Sequence, residues 1–270
     1  MDIGLHNHLK RLASDLFIKH QGSERTKIDR SINVLIDRME EYYDDEIEDV
    51  VVFGSYSRDT ILPRRFDPHS DIDLLIHFNT KEYDKILPDS YRNSLRKFAI
   101  KHYPQSLITK DNPSVVLELN HIKFDLVPAV LSESFWFGDT YRIPKRNGGW
   151  QDSDPTAFNE KLTRVNKRNN SVVKPVIRLV KYWNATQGYP YFSYELETAI
   201  SKLDWWSGNI LDDFFYVVKN LPDYGLPGWA ATKVDRLKDN ARSARRYMED
   251  DDARRCRMLL DKILPPVFVF

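Results

Sequence analysis

Thiols are almost missing from this chain: one cysteine, Cys256, stands in 270 residues. A lone thiol excludes an internal disulfide and a cysteine-built metal site, and it suits a reducing cytoplasm. Net charge is missing too, because 40 Lys and Arg balance 40 Asp and Glu. No global field therefore gathers nucleic acid, and any phosphate site has to be a local patch. Long apolar runs are also lacking. The opening segment MDIGLHNHLKRLASDLF has no stretch of the length that a signal peptide or membrane span needs, so a cytoplasmic protein without a membrane partner is expected. Gly (10) and Pro (14) are too few for a fibrous or disordered chain.

What is present is 41% hydrophobic and 30% charged residues, enough for a packed core under a solvated surface. The length admits one large domain or two small ones. Lys27 to Tyr43 carries Ile28, Ile32, Leu35 and Met39 at helical spacing, with Thr26 placed to cap its start. Glu48 to Phe53 is a β-branched run that stops at Gly54. Asp71 to Phe78 alternates as a strand, with Ile72, Leu74 and Ile76 on one face and Asp71, Asp73 and Leu75 on the other. Tyr91 to Tyr103 reads as a helix, and Val115 to Leu119 and Ile122 to Val127 as strands joined through Asn120-His121. In the second of these, Asp125 shares its face with Lys123 and Val127.

The stretch Pro144 to Pro155 (PKRNGGWQDSDP) is rich in turn formers and predicts a break between two parts. Beyond it the pattern is helical: Phe158 to Lys167, Val172 to Gln187 with Pro175 in its first turn, Tyr194 to Leu203, Ile210 to Asn220, and one long charged helix over Ala230 to Leu264. The order gives an α+β part over residues 1–150 and an all-α part over 151–270.

Asp71 and Asp73 on one strand face repel each other unless a cation sits between them. Hard oxygen ligands suit Mg²⁺ or Mn²⁺ rather than zinc. Asp125, on a later strand, would complete a site for two metals about 4 Å apart. Gly54-Ser55 closes the preceding strand, where glycine lets backbone approach a phosphate and Ser55 can donate to it. Each part alone is commonplace, since Asp-x-Asp is more often an exposed polar face and Gly-Ser a plain turn. Their conjunction favours catalysis.

The segment FGSYSRDTILPRRFDPHSDIDLLIHF resembles the active-site motif of the DNA polymerase β-like nucleotidyltransferase superfamily. More narrowly it resembles the bacterial relatives of cyclic GMP-AMP synthase, the SMODS-type CD-NTases of antiphage CBASS systems. LELNHIKFDLVPAV is similar to their third-carboxylate strand, IPKRNGGWQDSDP to their linker, and VIRLVKYWNATQGYPYFSYELE to their nucleotide-holding helices. The likeness runs from about Val50 to Lys202.

The resemblance implies a mixed-sheet nucleotidyltransferase core followed by a helical nucleotide-binding lobe, with the active site in a cleft between them. It implies two Mg²⁺ ions on Asp71, Asp73 and Asp125, with Gly54 and Ser55 on the triphosphate. Lys181 matches a lysine that contacts triphosphate, Ser193 a phosphate-binding serine, and Tyr194 an aromatic that stacks on a base. Lys174, Arg178 and Lys181 fall at i, i+4, i+7 and form one basic stripe, which could equally be a solvated face. For Tyr194 the competing reading is core packing. The loop from Ser55 to Asp71 is longer than the superfamily minimum.

Other features read more plainly. His6 and His8 suit a mobile surface and His69 an exposed loop. Trp205-Trp206 suits core or interface packing, and Glu249 to Asp252 a solvated turn. Arg242, Arg245 and Arg246 could meet nucleic acid or phosphate, but they have acids nearby to balance them. The implied activity is joining nucleoside triphosphates into a cyclic oligonucleotide that a downstream effector recognises, by a monomer. The alternatives are the same chemistry on a linear oligonucleotide, RNA end, small molecule or protein, and an inactive nucleotide sensor. Neutral charge disfavours a long nucleic-acid track, and three intact aspartates disfavour the sensor.

Overall fold

The computed structural model describes residues 3–79, 86–132, 140–154 and 156–267. The chain divides into two compact units. A sheet unit comprises Gly22–Arg58 and His69–Glu160, and a helical unit comprises Met1–Gln21, Asp59–Pro68 and Lys161–Phe270.

In the sheet unit, α2 (Gly22–Tyr43) leads into β1 (Ile47–Phe53), a single turn α3 (Gly54–Ser57), β2 (Asp71–Phe78) and α4 (Pro88–His102). Then come β3 (Leu107–Lys110), β4 (Val115–Glu118), β5 (Lys123–Ser132), β6 (Thr140–Pro144) and β7 (Trp150–Ser153). The strands form one mixed sheet in the order β1-β2-β5-β4-β3, and the far half of β5 pairs with β6, which pairs with β7. Among the described residues β2 and β5 run parallel and the other pairings are antiparallel. Ile28, Ile32, Leu35 and Met39 of α2 are all buried, as the spacing predicts. They share the core with an aromatic group in which Tyr43 meets Phe78 and Phe98 at 5.4 and 5.8 Å between ring centroids. Burying each such side chain contributes about 1.5–3 kcal/mol. Thr26 does not cap α2, which starts four residues earlier; its hydroxyl bonds back to Gly22 O at 2.8 Å.

The helical unit begins with α1 (Ile3–Asp15), then continues after the sheet unit with the rest of α5 (Ala157–Arg168), α6 (Val173–Thr186), α7 (Ser193–Ser201), α8 (Ile210–Lys219), α9 (Gly228–Glu249) and α10 (Ala253–Ile263). Its core gathers Leu5, Leu9, Leu12 and Leu16 with Val176, Leu179, Val180, Phe214 and Leu237.

Several expectations are corrected here. Pro144 to Ser153 is not a linker but the β6–β7 hairpin, turned by Gly148 and Gly149 at positive φ; Pro155 lies outside the described residues. The chain changes unit at Glu160/Lys161, inside α5, rather than at residue 150. Residues 1–21 belong with the helices because the apolar face of α1 is buried among them. His6 and His8 are accordingly anchored, 3.1 Å from Asn209 Oδ1 and 3.1 Å from Asp261 Oδ1. The long loop joins the same unit: Leu62 enters its core, and Tyr189 donates to Asp67 at 2.7 Å. The expected single helix over Ala230 to Leu264 is two, broken where Asp251 adopts φ 57° and Asp252 caps α10 by accepting from Arg255 N.

Among the described residues, no helix is long and apolar enough to cross a membrane.

Candidate active site

Strand pairing brings the carboxylates together. In the parallel β2–β5 register Asp71 stands opposite Lys123 and Asp73 opposite Asp125. Period-two alternation puts all four on one face, while Ile72, Leu74, Phe124 and Leu126 are buried on the other. The hydrophobic face therefore fixes the register, and the register fixes the acidic cluster.

Lys123 is the local counter-charge. Its Nζ lies 3.1 Å from Asp71 Oδ2 and 3.7 Å from Asp125 Oδ1. Burial disfavours its charge, but Asp125 and Asp71 outweigh that and raise its pKa. Burial, reinforced by the charge of Asp71, pushes the Asp125 carboxyl up to about 6 against the opposing pull of Lys123 and Ser114. Ser114 Oγ donates to Asp125 Oδ2 at a long 3.4 Å.

The Gly54 turn closes over the same place. Gly54 has φ 70°, and a Cβ on it would lie 1.7 Å from Asp73 Oδ2. Only glycine allows both the left-handed backbone and that approach. The turn is braced by Ser57 Oγ, which donates to Gly54 O at 3.0 Å and accepts from Asn159 Nδ2 at 2.8 Å. Ser55 follows Gly54 in this braced turn and is partly buried.

These residues fit divalent metal. Asp125 Oδ1 is buried and accepts no hydrogen bond, and the donors are hard carboxylate oxygens. Among the described residues no three His, Cys, Asp or Glu side chains already form a metal cage. The Lys123 ammonium lies between Asp71 and Asp125 as their counter-charge.

The remaining candidates lie in the helical unit. Lys181 on α6 is buried, and its Nζ donates to Glu197 Oε1 of α7 at 2.8 Å. Glu197 Oε2 accepts from Thr60 at 2.9 Å. Lys174 pairs with Asp59 at 3.1 Å, and Arg178 donates to the carbonyls of Ala13 and Asp59. Burial drives the Arg178 pKa down to about 10. The stripe is thus neither a solvated face nor an open phosphate cradle: its three cations are tied inside the unit. Ser193 opens α7, and Tyr194 beside it is 59% exposed, which excludes core packing for that ring.

A family model, the Second Messenger Oligonucleotide or Dinucleotide Synthetase domain, matches residues 3–166. The chain belongs to this family. A "Probable cyclic nucleotide synthase" of Bacillus cereus (strain VD146) is 28% identical over 185 residues, covering 57% of this chain and 55% of the relative. A "Cyclic AMP-AMP-AMP synthase" of Acinetobacter sp. (strain ATCC 27244 / 9458) is 25% identical over 185 residues, 64% of this chain and 51% of that one. The chain spans about half the length of these curated relatives. The structure of the Bradyrhizobium diazoefficiens CD-NTase CdnG in complex with GTP aligns with a TM-score of 0.66 at 13% identity, over 94% of this chain and 96% of that one. At that identity the likeness establishes the fold: a mixed-sheet core with flanking helices and a C-terminal helical lobe.

Sequence reasoning in the terms of this synthetase family overlooked three residues. Lys123 is legible only as a residue on the Asp125 face; its role follows from the rule that a lysine two residues before a strand aspartate shares its surroundings. Asn159 bracing the Gly54 turn and Glu197 holding Lys181 left no local signal, because each acts on a partner distant in sequence.

Proposed function

We propose that the chain is a metal-dependent nucleotidyltransferase. In this reading it links nucleoside triphosphates into a cyclic di- or trinucleotide second messenger for antiphage defence, releasing pyrophosphate. The observation that carries the reading is the β2–β5 register, which sets Asp73 against Asp125 with Asp71 two residues away on the same face. The family description names oligonucleotide or dinucleotide synthesis, and the name of the Acinetobacter relative gives a cyclic product.

In this proposal Asp71, Asp73 and Asp125 hold two Mg²⁺ ions, or Mn²⁺. When bound, such ions lower the pKa of an attacking hydroxyl and neutralise the triphosphate and departing pyrophosphate. Lys123, the resident counter-charge of Asp71 and Asp125, would have to give up those contacts for a metal to be held there. Gly54 keeps the turn low beside Asp73, and Ser55 donates to the triphosphate. A ribose hydroxyl attacks the α-phosphorus, a phosphodiester forms and the bond to pyrophosphate breaks; the protein's part is positioning and electrostatics. Ser193 binds phosphate and Tyr194 stacks on a base, a contact worth ~1–3 kcal/mol. Lys181 was expected on the triphosphate. With its ammonium on Glu197, we assign it instead to holding α6 against α7, the helix that carries Ser193 and Tyr194.

The test is incubation with the four nucleoside triphosphates and Mg²⁺ or Mn²⁺, phosphatase treatment and mass spectrometry, beside an Asp71→Ala/Asp73→Ala control. Phosphatase-resistant cyclic products that vanish in the control are expected. Linear products alone would remove the cyclic assignment, and output unchanged in the control would remove the carboxylate site.

A further inference from the structure

The helical unit carries a second concave site built from other residues. A cavity of about 630 Å³ opens between α8, α9 and the segment before α8. Tyr216 and Lys219 of α8, Lys238, Arg242, Arg245 and Arg246 of α9, and Trp206 line it, with Glu249 as its one acid. Among the described residues the lining holds five cations and one carboxylate, while Asp223 and Asp239 reach two of those cations from outside the lining. The volume falls within the usual range of small-molecule sites, about 300–1,000 Å³.

Two details separate this cavity from an ordinary solvated helix face. The first is Trp206, whose ring is 65% exposed while its neighbour Trp205 is partly buried and donates Nε1 to Ile200 O at 3.3 Å. A large exposed indole at the rim of a cavity is an unpartnered stacking surface. The second is the state of the cations. Lys238, Arg242 and Arg245 have partners in Asp223, Asp239 and Glu249 at 2.8, 3.0 and 3.3 Å. The two arginine pairs are exposed and hold weakly, about 0–1 kcal/mol, which leaves their guanidinium groups free to turn to a stronger anion; Lys238 is partly buried and stays on Asp223. Lys219 and Arg246 are exposed. From Lys238 to Arg246 the cations extend about 12 Å along α9, at 1.5 Å per residue, enough for more than one phosphate.

We propose that this cavity binds a small nucleotide of one or two residues, its phosphates on Lys219, Arg242 and Arg246 and its base on Trp206. Flat rings that stack and anionic groups that pair with guanidinium are the two properties the lining selects. The site lies within the helical unit, uses no residue of the carboxylate cluster and needs no metal.

The experiment therefore uses the full chain carrying Asp71→Ala/Asp73→Ala, in EDTA, so that failure here is independent of the catalytic reading. Binding of the linear dinucleotide pApA is followed by tryptophan fluorescence and calorimetry, beside adenosine, inorganic phosphate and cyclic di-AMP. Saturable binding of pApA is expected, weakened by more than about ten-fold in Lys219→Gln/Arg246→Gln, since each lost charged hydrogen bond alone accounts for about that factor. Trp206→Leu should abolish the fluorescence change; both variants alter exposed side chains, and circular dichroism melts would verify their folding. Tighter binding of cyclic di-AMP than of pApA would support the site as a sensor of cyclic nucleotide, and the reverse order as a sensor of free nucleotide. Equal affinity for inorganic phosphate, indifference to these substitutions, or preference for long single-stranded RNA over pApA would overturn the proposal.

Discussion

Asp73 and Asp125 stand directly opposite each other on the parallel strands β2 and β5. Asp125 meets the Asp71 charge and a desolvated surface there, and its carboxyl is pushed up to about 6, against an unfolded value of ~3.9. A raised carboxyl favours folding in its protonated form, so that contribution is complete below about pH 4 and lost as pH rises through about 6. Metal-free protein should therefore lose up to about 2–3 kcal/mol across this window, and Asp125→Asn should not. Denaturant melts in EDTA from pH 4.5 to 7.5 measure the difference; parallel profiles for the two proteins would contradict it. Because metal needs the ionised carboxylate, Mg²⁺ affinity should fall below pH 6 and binding near pH 6 should release a proton, measurable by calorimetry in buffers of different ionisation enthalpy.

Gly54→Ala places a methyl 1.7 Å from Asp73 Oδ2 at a residue with φ 70°. The left-handed conformation costs roughly 1–2 kcal/mol for an alanine, and Asp73 must also move. Displacing a metal-binding carboxylate by even 1 Å is expected to lower turnover by about 100-fold. The unfolding midpoint should fall only slightly, so a variant that melts early but retains activity per folded molecule would show that the close approach has no catalytic role.

Lys123→Met removes the ammonium 3.1 Å from Asp71 Oδ2. Metal-free protein then holds three carboxylates with no resident cation and should melt earlier. Mg²⁺ no longer displaces a like charge, so the rise in melting temperature on adding saturating Mg²⁺ should exceed that of the parent protein. An equal or smaller rise would mean that Lys123 helps to hold the metal complex rather than competing with it.

How far the sequence could be read differs between the two units, for physical reasons. Strand Asp71–Phe78 was legible to the residue, because alternation and its buried face speak in one short window. The pairing of Asp71 with Asp73 follows from that period alone. The neighbourhood of Asp125 does not: parallel pairing of β2 with β5 is a long-range choice that no local pattern encodes. In the helical unit the charges misled. Ten of the fourteen residues of α6 are buried, Arg178 and Lys181 among them, so a stripe whose spacing suits phosphate contact or a solvated face lies mostly in the interior. Such a helix is recognised only when its partners Asp59, Ala13 O and Glu197 are known. Helix α1 left a readable apolar spacing at Leu5, Leu9 and Leu12, but its polar neighbours and terminal position suggested a free surface.

The Lys181–Glu197 pair separates a structural from a substrate role for that lysine. Both side chains are nearly inaccessible, 4% and 1% exposed, and their ammonium and carboxylate are 2.8 Å apart. Removing one partner leaves a buried charge uncompensated, a cost of about 3–5 kcal/mol, whereas replacing both with apolar groups of similar volume is often close to neutral. Lys181→Met and Glu197→Leu should each lower the melting temperature by several degrees, and the double variant should recover most of that loss. If Lys181 acts only through α7, the double variant should also regain affinity for the triphosphate substrate, seen as a KM close to that of the parent. If the lysine itself reaches the triphosphate, stability will return while KM stays high, because methionine offers phosphate nothing. The comparison of melting temperature with KM in these three variants therefore decides between the positioning role assigned here and direct contact.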